Sequence, residues 1–276
     1  MSARRTALAD NKEVYRTVEF HRWVDRTDLN ADERYLITRY LKPAGRTLEA
    51  GTGGGRILLA MRRMGFTDLH GFDFVPEFVE DARRKDPTRE IDFQVQDATR
   101  LTYPDAAFDQ LIYLQQIVCF IESESARFQA VREAFRVLRP GGVALFSVLS
   151  FEVRRRSPIY RVLMTYWRLL RWIRGSPLST QAMPWMRLGG RFNAAALLDR
   201  GPYVHWFRTE ELLGRLQSAG FLIEAVGSSR QIADGRLCTD LAQLTEQTLD
   251  GPLYCVCNKP QGQSVDRRSR APAGTS

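Results

Sequence analysis

The sequence predicts an α/β domain built on a doubly wound, mostly parallel sheet. Three observations carry this. Short apolar strands alternate with helices from residue 46 to residue 149, the first strand runs into a glycine-rich turn, and acidic residues recur at the ends of successive strands. Strands separated by helices are joined by crossovers, so they lie parallel with both sheet faces covered.

The elements follow in order. Residues 1–30 are polar with scattered aromatics (Tyr15, Phe20, His21, Trp23) and read as one or two short helices. Residues 31–41 form a helix stopped by Lys42-Pro43-Ala44-Gly45. A strand follows at 46–50, a helix at 56–64 ended by Gly65, a strand at 69–74, and a helix at 76–84 with Pro76 in its first turn. Next come a strand at 91–96, a loop, a strand at 109–114, and a helix at 126–138 ended by a turn at Arg139-Pro140-Gly141-Gly142. The strand at 143–149 has almost no polar residue, as burial on both faces requires. The alternation stops at Ser150. It resumes with a helix at 209–219, a strand at 221–226, a helix at 239–249 and a last strand at 253–257.

The chain thus divides into an N-terminal helical segment (1–30), a nucleotide-binding domain in two pieces (31–150 and 209–259), an insertion (151–208) and a tail (260–276). The tail is rich in Pro, Gly, Ser and Arg and is expected to be disordered.

Composition sets bounds on function. Of the 276 residues, 44% are hydrophobic and 26% charged, which fits a soluble globular chain. Cys119, Cys238, Cys255 and Cys257 form no C-x-x-C pair and have no histidine at zinc-site spacing, so no metal is expected. Cys255 and Cys257 point to one face of a strand and read as small buried side chains. No apolar signal core follows Met1 and no apolar run is long enough to span a bilayer. With unpaired thiols, this sets the expectation of a cytoplasmic protein.

The net charge of +8 is concentrated in the insertion. Residues 151–208 hold eleven Arg, no Lys, only Glu152 and Asp199 as acids, and four of the five Trp, a net charge of +9. Within it, Ile159, Val162, Leu163, Tyr166, Leu170 and Ile173 recur at helical spacing. Arg161, Arg168 and Arg171 fall near the opposite side, with Trp167 and Trp172 on the flanks. A basic amphipathic helix of this kind suits a lid over a substrate or a membrane-surface contact through 159–174. Nucleic acid is a third, weaker reading of Arg with Trp.

The first strand ends in Glu49-Ala50-Gly51-Thr52-Gly53-Gly54-Gly55-Arg56. Glycines at such a strand–helix turn let the backbone approach a nucleotide closely. Arg56 stands where a dinucleotide fingerprint needs its last glycine, which counts against a nicotinamide-dependent oxidoreductase. The spacing, an acidic residue then G-x-G-x-G, resembles the first motif of the class I S-adenosylmethionine-dependent methyltransferases, matched by Glu49, Gly51, Gly53 and Gly55. Further motifs follow in order: Asp73 in Gly71-Phe72-Asp73-Phe74, Asp97 in Gln96-Asp97-Ala98, Phe108-Asp109, and Leu138-Arg139-Pro140-Gly141-Gly142.

The resemblance implies a Rossmann-like fold with an antiparallel last strand, S-adenosyl-L-methionine as cofactor, and an insertion that caps the substrate. It implies that Asp73 holds the ribose hydroxyls, Phe74 packs on adenine, Asp97 with Ala98 faces the adenine amino group, and Gln115 faces the methyl. Gln116, Tyr203, Arg161 and Arg168 are candidate substrate contacts. His205 is a candidate general base, with a hydrogen-bonded structural histidine as the alternative. After the fourth strand stands Leu114-Gln115-Gln116-Ile117, with neither the motif of adenine amino-methylating enzymes nor a Pro-Cys nucleophile. The acceptor is therefore expected to be a small molecule with apolar or aromatic and anionic parts, the subgroup resembling quinone-biosynthesis methyltransferases. The alternatives are a cofactor-binding protein without turnover and an RNA- or membrane-lipid-associated methyltransferase.

Overall fold

The computed structural model describes residue 11 and residues 13–20, 27–239 and 241–261. Much of the N-terminal segment, including His21 and Trp23, and nearly all of the 260–276 tail lie outside the described residues.

The core is a seven-stranded sheet. Its strands are β1 (Thr47–Ala50), β2 (Leu69–Asp73), β3 (Ile91–Val95), β4 (Phe108–Tyr113), β5 (Leu138–Val148), β10 (Leu222–Ser228) and β11 (Leu253–Asn258); the remaining β6–β9 lie in the insertion. The order is β10-β11-β5-β4-β1-β2-β3. The neighbours from β3 through β5 are parallel, whereas β11 runs antiparallel to both β5 and β10. The chain winds outward from β1 through β2 to β3, then returns to lay β4 on the other side of β1. That reversal is the point at which an open α/β sheet forms its ligand crevice.

Both faces of the sheet are covered, and the two-residue period of a strand decides which face each side chain joins. Leu111, Tyr113, Ala144, Phe146, Cys255 and Cys257 share a core with α4 (Glu124–Val137) and α7 (Thr209–Ser218). Ile112, Leu145, Tyr254 and Val256, the intervening positions, share a core with α1 (Ala31–Tyr40) and α2 (Arg56–Arg63). Helix α3 (Pro76–Lys85) starts with Pro and adds Val79 and Ala82 to the second core. Cys255 Sγ and Cys257 Sγ, 3.5 Å apart, are both buried on one face as the spacing requires.

Asn30 begins α1 with a capping box. Its side chain accepts from Glu33 N at 2.8 Å while Glu33 accepts from Asn30 N at 2.9 Å. Glu33 also receives Arg56 in a buried bidentate pair, at 2.6 and 2.7 Å. Arg56, at the start of α2, therefore ties the glycine turn to the N-terminal helix.

Three expectations need correction. The Pro140-Gly141-Gly142 segment is an irregular part of β5, not a turn between elements. Phe108 pairs with Leu138 and Gln110 with Val143, so residues 139–142 bulge out opposite Asp109, with Gly141 at φ +79°. The helix expected at 239–249 shrinks to α9 (Leu241–Thr245). Its expected end is instead tied down by side chains from elsewhere: Gln231 donates to Thr248 O, Arg156 to Leu249 O, and Asp250 N donates to Ser228 Oγ. A short α8 (Ser229–Ala233) precedes it, started by a Ser228/Gln231 capping box.

The third correction concerns the insertion. Here α5 (Phe151–Arg156) leads into α6 (Pro158–Arg174), and β6 (Ala182–Pro184) pairs antiparallel with β9 (Tyr203–His205). Between them lies a small hairpin, β7 (Arg187–Leu188) with β8 (Arg191–Phe192). Helix α6 is amphipathic, but its buried face carries Trp167 and Arg171. Trp167 Nε1 donates to Ala196 O at 2.9 Å. Arg171 pairs with buried Asp199 at 2.7 and 2.5 Å and also donates to Ser179 O and Ala182 O. Arg171, placed on the basic face by the sequence, is thus buried, while Ile159, Val162, Tyr166 and Ile173 are exposed.

Candidate active site

A cavity opens at the carboxyl ends of β1, β2, β3 and β4, over the reversal of strand order. Its walls show how the glycine turn is used. Gly51 and Gly53 have φ of +62° and +54°, conformations that side chains rarely adopt. A Cβ on Gly51 would overlap Ile117 Cδ1, whereas one on Gly53 would project into open space. Gly53 thus leaves its backbone bare to the cavity. Gly55 lies beneath, where a Cβ would meet the Phe93 ring at 2.9 Å. Its role is close helix–sheet packing and not the cavity wall.

Asp73, the last residue of β2, is buried at the cavity edge. Its Oδ2 accepts from Gly53 N and its Oδ1 from Val75 N, each at 3.0 Å. Two backbone donors fix the carboxylate's direction. Asp97 lies exposed past β3, with Oδ1 accepting from Thr99 N and Thr99 Oγ1 at 2.8 Å. Phe74, Ala98 and Gln115 complete this wall.

Glu49 is not part of the wall. It is fully buried under the turn, where it accepts from Thr52 Oγ1 at 2.7 Å. Burial pushes its carboxyl up to about 8, only partly countered by the Thr52 hydrogen bond and the nearby Arg56 charge. Glu49 braces the turn from beneath.

At the end of β4, Gln115 and Gln116 are both left-handed, at φ +61° each. Two such non-glycine residues in succession are costly, and strain of this kind gathers at functional sites. Gln116 turns away from the cavity: its backbone N and Nε2 donate to Ser147 Oγ at 3.0 and 3.3 Å. The turn thereby presents Gln115 and Ile117 to the cavity.

The other half of the cavity is apolar. Tyr15, Ile117, Phe120 and Ile121 line it, with Asn11. Tyr15 meets Phe74, Phe120 and Trp185 edge-on, at ring distances of 6.4, 5.5 and 5.6 Å. Trp185 belongs to the insertion, so the N-terminal segment and the insertion close the same side. Asn11 Nδ2 donates to Phe120 O, while its buried Oδ1 has no partner among the described residues. Tyr15 was visible in the sequence only as one scattered aromatic, and Asn11 carried no signal there.

The remaining candidates lie elsewhere. His205 is buried beside Glu211, its Nε2 2.9 Å from Oε1, and does not line the cavity. Burial lowers its pKa, against the opposing pull of Glu211. Tyr203 donates its hydroxyl to Asp199 O inside the insertion. Arg161 and Arg168 are exposed on the outer face of α6. Thus Gly51, Gly53, Asp73, Phe74, Asp97, Ala98 and Gln115 come together, and Glu49, Gly55, Gln116, Tyr203, His205, Arg161 and Arg168 stand outside the wall. Among the described residues there is no metal-holding cluster, and no helix is long and apolar enough to cross a membrane.

Comparison with known proteins agrees with this geometry. Residues 48–146 match the model of the methyltransferase domain family. The chain is 36% identical over 118 residues to a demethylmenaquinone methyltransferase of Thermus thermophilus, an alignment covering 42% of this chain and 52% of that protein. It is 29% identical over 124 residues to a putative methyltransferase of Bacillus subtilis, covering 44% and 50%. The chain thus spans about half the length of these curated relatives. Among solved structures, a methyltransferase from Methanosarcina mazei superposes with a TM-score of 0.61 at 18% identity, covering 82% of this chain and 97% of that one. A Burkholderia thailandensis 1,6-didemethyltoxoflavin N1-methyltransferase, solved with its acceptor and S-adenosylhomocysteine, superposes with a TM-score of 0.57 at 15% identity, covering 94% and 92%. The chain carries a methyltransferase domain over residues 48–146, on the fold of the class I S-adenosylmethionine-dependent methyltransferases.

Proposed function

We propose that the protein transfers a methyl group from S-adenosylmethionine to an O, N or C nucleophile of a small molecule with an apolar or aromatic body. One observation carries this. A polar cofactor wall (Gly51, Gly53, Asp73, Asp97) and an aromatic wall (Tyr15, Phe120) line a single cavity at the crevice of the sheet. The bare Gly53 backbone and the two-point anchoring of Asp73 fit a ribose placed against the turn. Asp97 Oδ2 is the acceptor suited to the adenine amino group, and Phe74, with Ala98, to its ring. When bound, the cofactor supplies a sulfonium-activated methyl group.

The chain's own residues then contribute position and exclusion of water. Tyr15, Phe120 and Ile117 offer the acceptor an apolar surface beside Gln115, and holding reactants in line accounts for much of the rate of such a transfer. Asn11 Oδ1 is suited to accept from an acceptor hydroxyl or amine, because a buried acceptor atom is costly until it is paired. An anionic group on the acceptor remains an expectation from the insertion's charge. Calorimetric titration with S-adenosylmethionine, S-adenosylhomocysteine and NAD tests the reading. Binding of the first two is expected, and heat with NAD alone overturns it.

A further inference from the structure

Helix α6 turns its apolar stripe outward. Ile159, Val162 and Ile173 are 71%, 70% and 66% exposed, and Trp172, the most exposed of the large apolar side chains, is 79% exposed. With Tyr166 and Leu169, Ile159, Val162 and Ile173 follow a three-then-four spacing, and Trp172, three residues after Leu169, borders them on the same side of the helix. A continuous exposed apolar stripe marks an interaction surface.

Charge selects its partner. The helix carries four Arg and no acid. Arg171 is used internally by Asp199, one of the insertion's two acids, and Glu152, the other, binds Ser150 and Thr209 N. Arg161 and Arg168 are exposed along one border of the stripe and make no ion pair among the described residues. Arg174 borders the other side near the helix end, where it donates to Leu198 O; Leu198 is itself exposed. A second copy packed on this face would bring like charges together without an acid to offset them. The chain's own ends fit no better, since 1–10 and 262–276 are net basic and poor in large apolar side chains. An apolar stripe bordered by arginines, with an exposed Trp, matches the headgroup level of an anionic bilayer.

We infer that α6 lies on an anionic lipid membrane surface, with Ile159, Val162, Leu169, Trp172 and Ile173 seated among the acyl chains and Arg161 and Arg168 on the headgroup phosphates. This holds whatever reaction the cavity carries out. Cosedimentation of the full chain with vesicles tests it, one set pure phosphatidylcholine and the other equal parts phosphatidylcholine and phosphatidylglycerol. The protein is expected to pellet with the second set, to release with added salt, and to remain in solution with the first.

Arg161→Gln with Arg168→Gln is expected to weaken binding by on the order of 25-fold, about fivefold per basic residue. Val162→Ser with Trp172→Ser and Ile173→Ser is expected to abolish it. Both variants change only exposed side chains, and matching far-UV circular dichroism confirms their folding. Arg230→Gln, an exposed charge on α8, is the control and is expected to bind unchanged. Wild type that stays in the supernatant overturns the inference, as does a stripe variant that binds like wild type. Gel filtration completes the test. A dimer that the stripe substitutions dissolve, in a protein indifferent to vesicles, assigns the face to a second copy and overturns the lipid assignment.

Discussion

Arg171 is the residue on which the insertion's fold depends most visibly. It is 5% exposed and donates four hydrogen bonds, two to Asp199 and one each to Ser179 O and Ala182 O. Arg171→Met keeps most of the aliphatic packing, so little is lost from the hydrophobic effect. What it leaves is a buried carboxylate without its cation and two carbonyls that have each lost one donor. Breaking a buried pair from one side costs about 3–5 kcal/mol, because the remaining charge stays desolvated. Removing both partners in Arg171→Met with Asp199→Leu leaves only the two carbonyls short of one donor, at about 1 kcal/mol each. The double variant is therefore expected to be more stable than Arg171→Met alone. Urea unfolding followed by tryptophan fluorescence measures both, and Trp167, hydrogen-bonded to Ala196 O in the same insertion, is a local reporter. The exposed pair Arg161→Gln with Arg168→Gln is expected to change stability by less than about 0.5 kcal/mol. A cost below about 1 kcal/mol for Arg171→Met, or additive costs for the pair, would refute the reasoning.

Three further predictions concern the cavity. Asp73→Ala is expected to weaken S-adenosylmethionine binding by about 3–6 kcal/mol, the worth of two hydrogen bonds to a charged acceptor, and an unchanged dissociation constant by calorimetry removes Asp73 from the site. Gly53→Ala places a methyl group in the open cavity at φ +54°; it is expected to lower stability by about 1 kcal/mol through backbone strain but to cut cofactor affinity at least tenfold, so equal affinity with lowered melting temperature contradicts the assignment. Glu49 in the unliganded protein retains its proton up to about pH 8, while the unfolded chain releases it near 4.5. Its contribution to stability is therefore full below 4.5 and is lost as pH rises toward 8. Glu49→Gln mimics the protonated form, and its melting temperature relative to wild type is expected to rise steadily between pH 5 and pH 8; each unit of pH in that window is worth up to about 1.4 kcal/mol, and a difference independent of pH contradicts a buried neutral Glu49.

The sheet and its crevice were legible because they rest on local rules. Period-two burial places Leu111 and Tyr113 on one face and Ile112 on the other whatever packs above them. The glycine turn is legible for the same reason: Gly51 and Gly53 take conformations that few residues tolerate, so the residue type reveals the backbone. The Ser228/Gln231 capping box obeys a local rule of the same kind, its two partners standing three residues apart.

Helix α6 marks where local rules stop. Its sequence fixes an amphipathic helix, with Arg171 on the basic face opposite the stripe of Ile159, Val162 and Ile173. Tertiary structure placed Arg171 inside instead, because Asp199, 28 residues away, supplies the compensating charge and Ser179 and Ala182 supply carbonyls. Period determines that two faces differ; only a partner distant in sequence decides which of them can afford to leave water. His205 shows the same limit, since its isolation in the sequence suggested chemistry, whereas the fold buries it against Glu211, away from the cavity. The sequence by itself determined the parallel sheet, the turn and the acidic strand ends, all short-range consequences of backbone geometry. The aromatic wall of Tyr15, Phe120 and Trp185, and the outward face of α6, were decided by contacts between segments far apart in the chain.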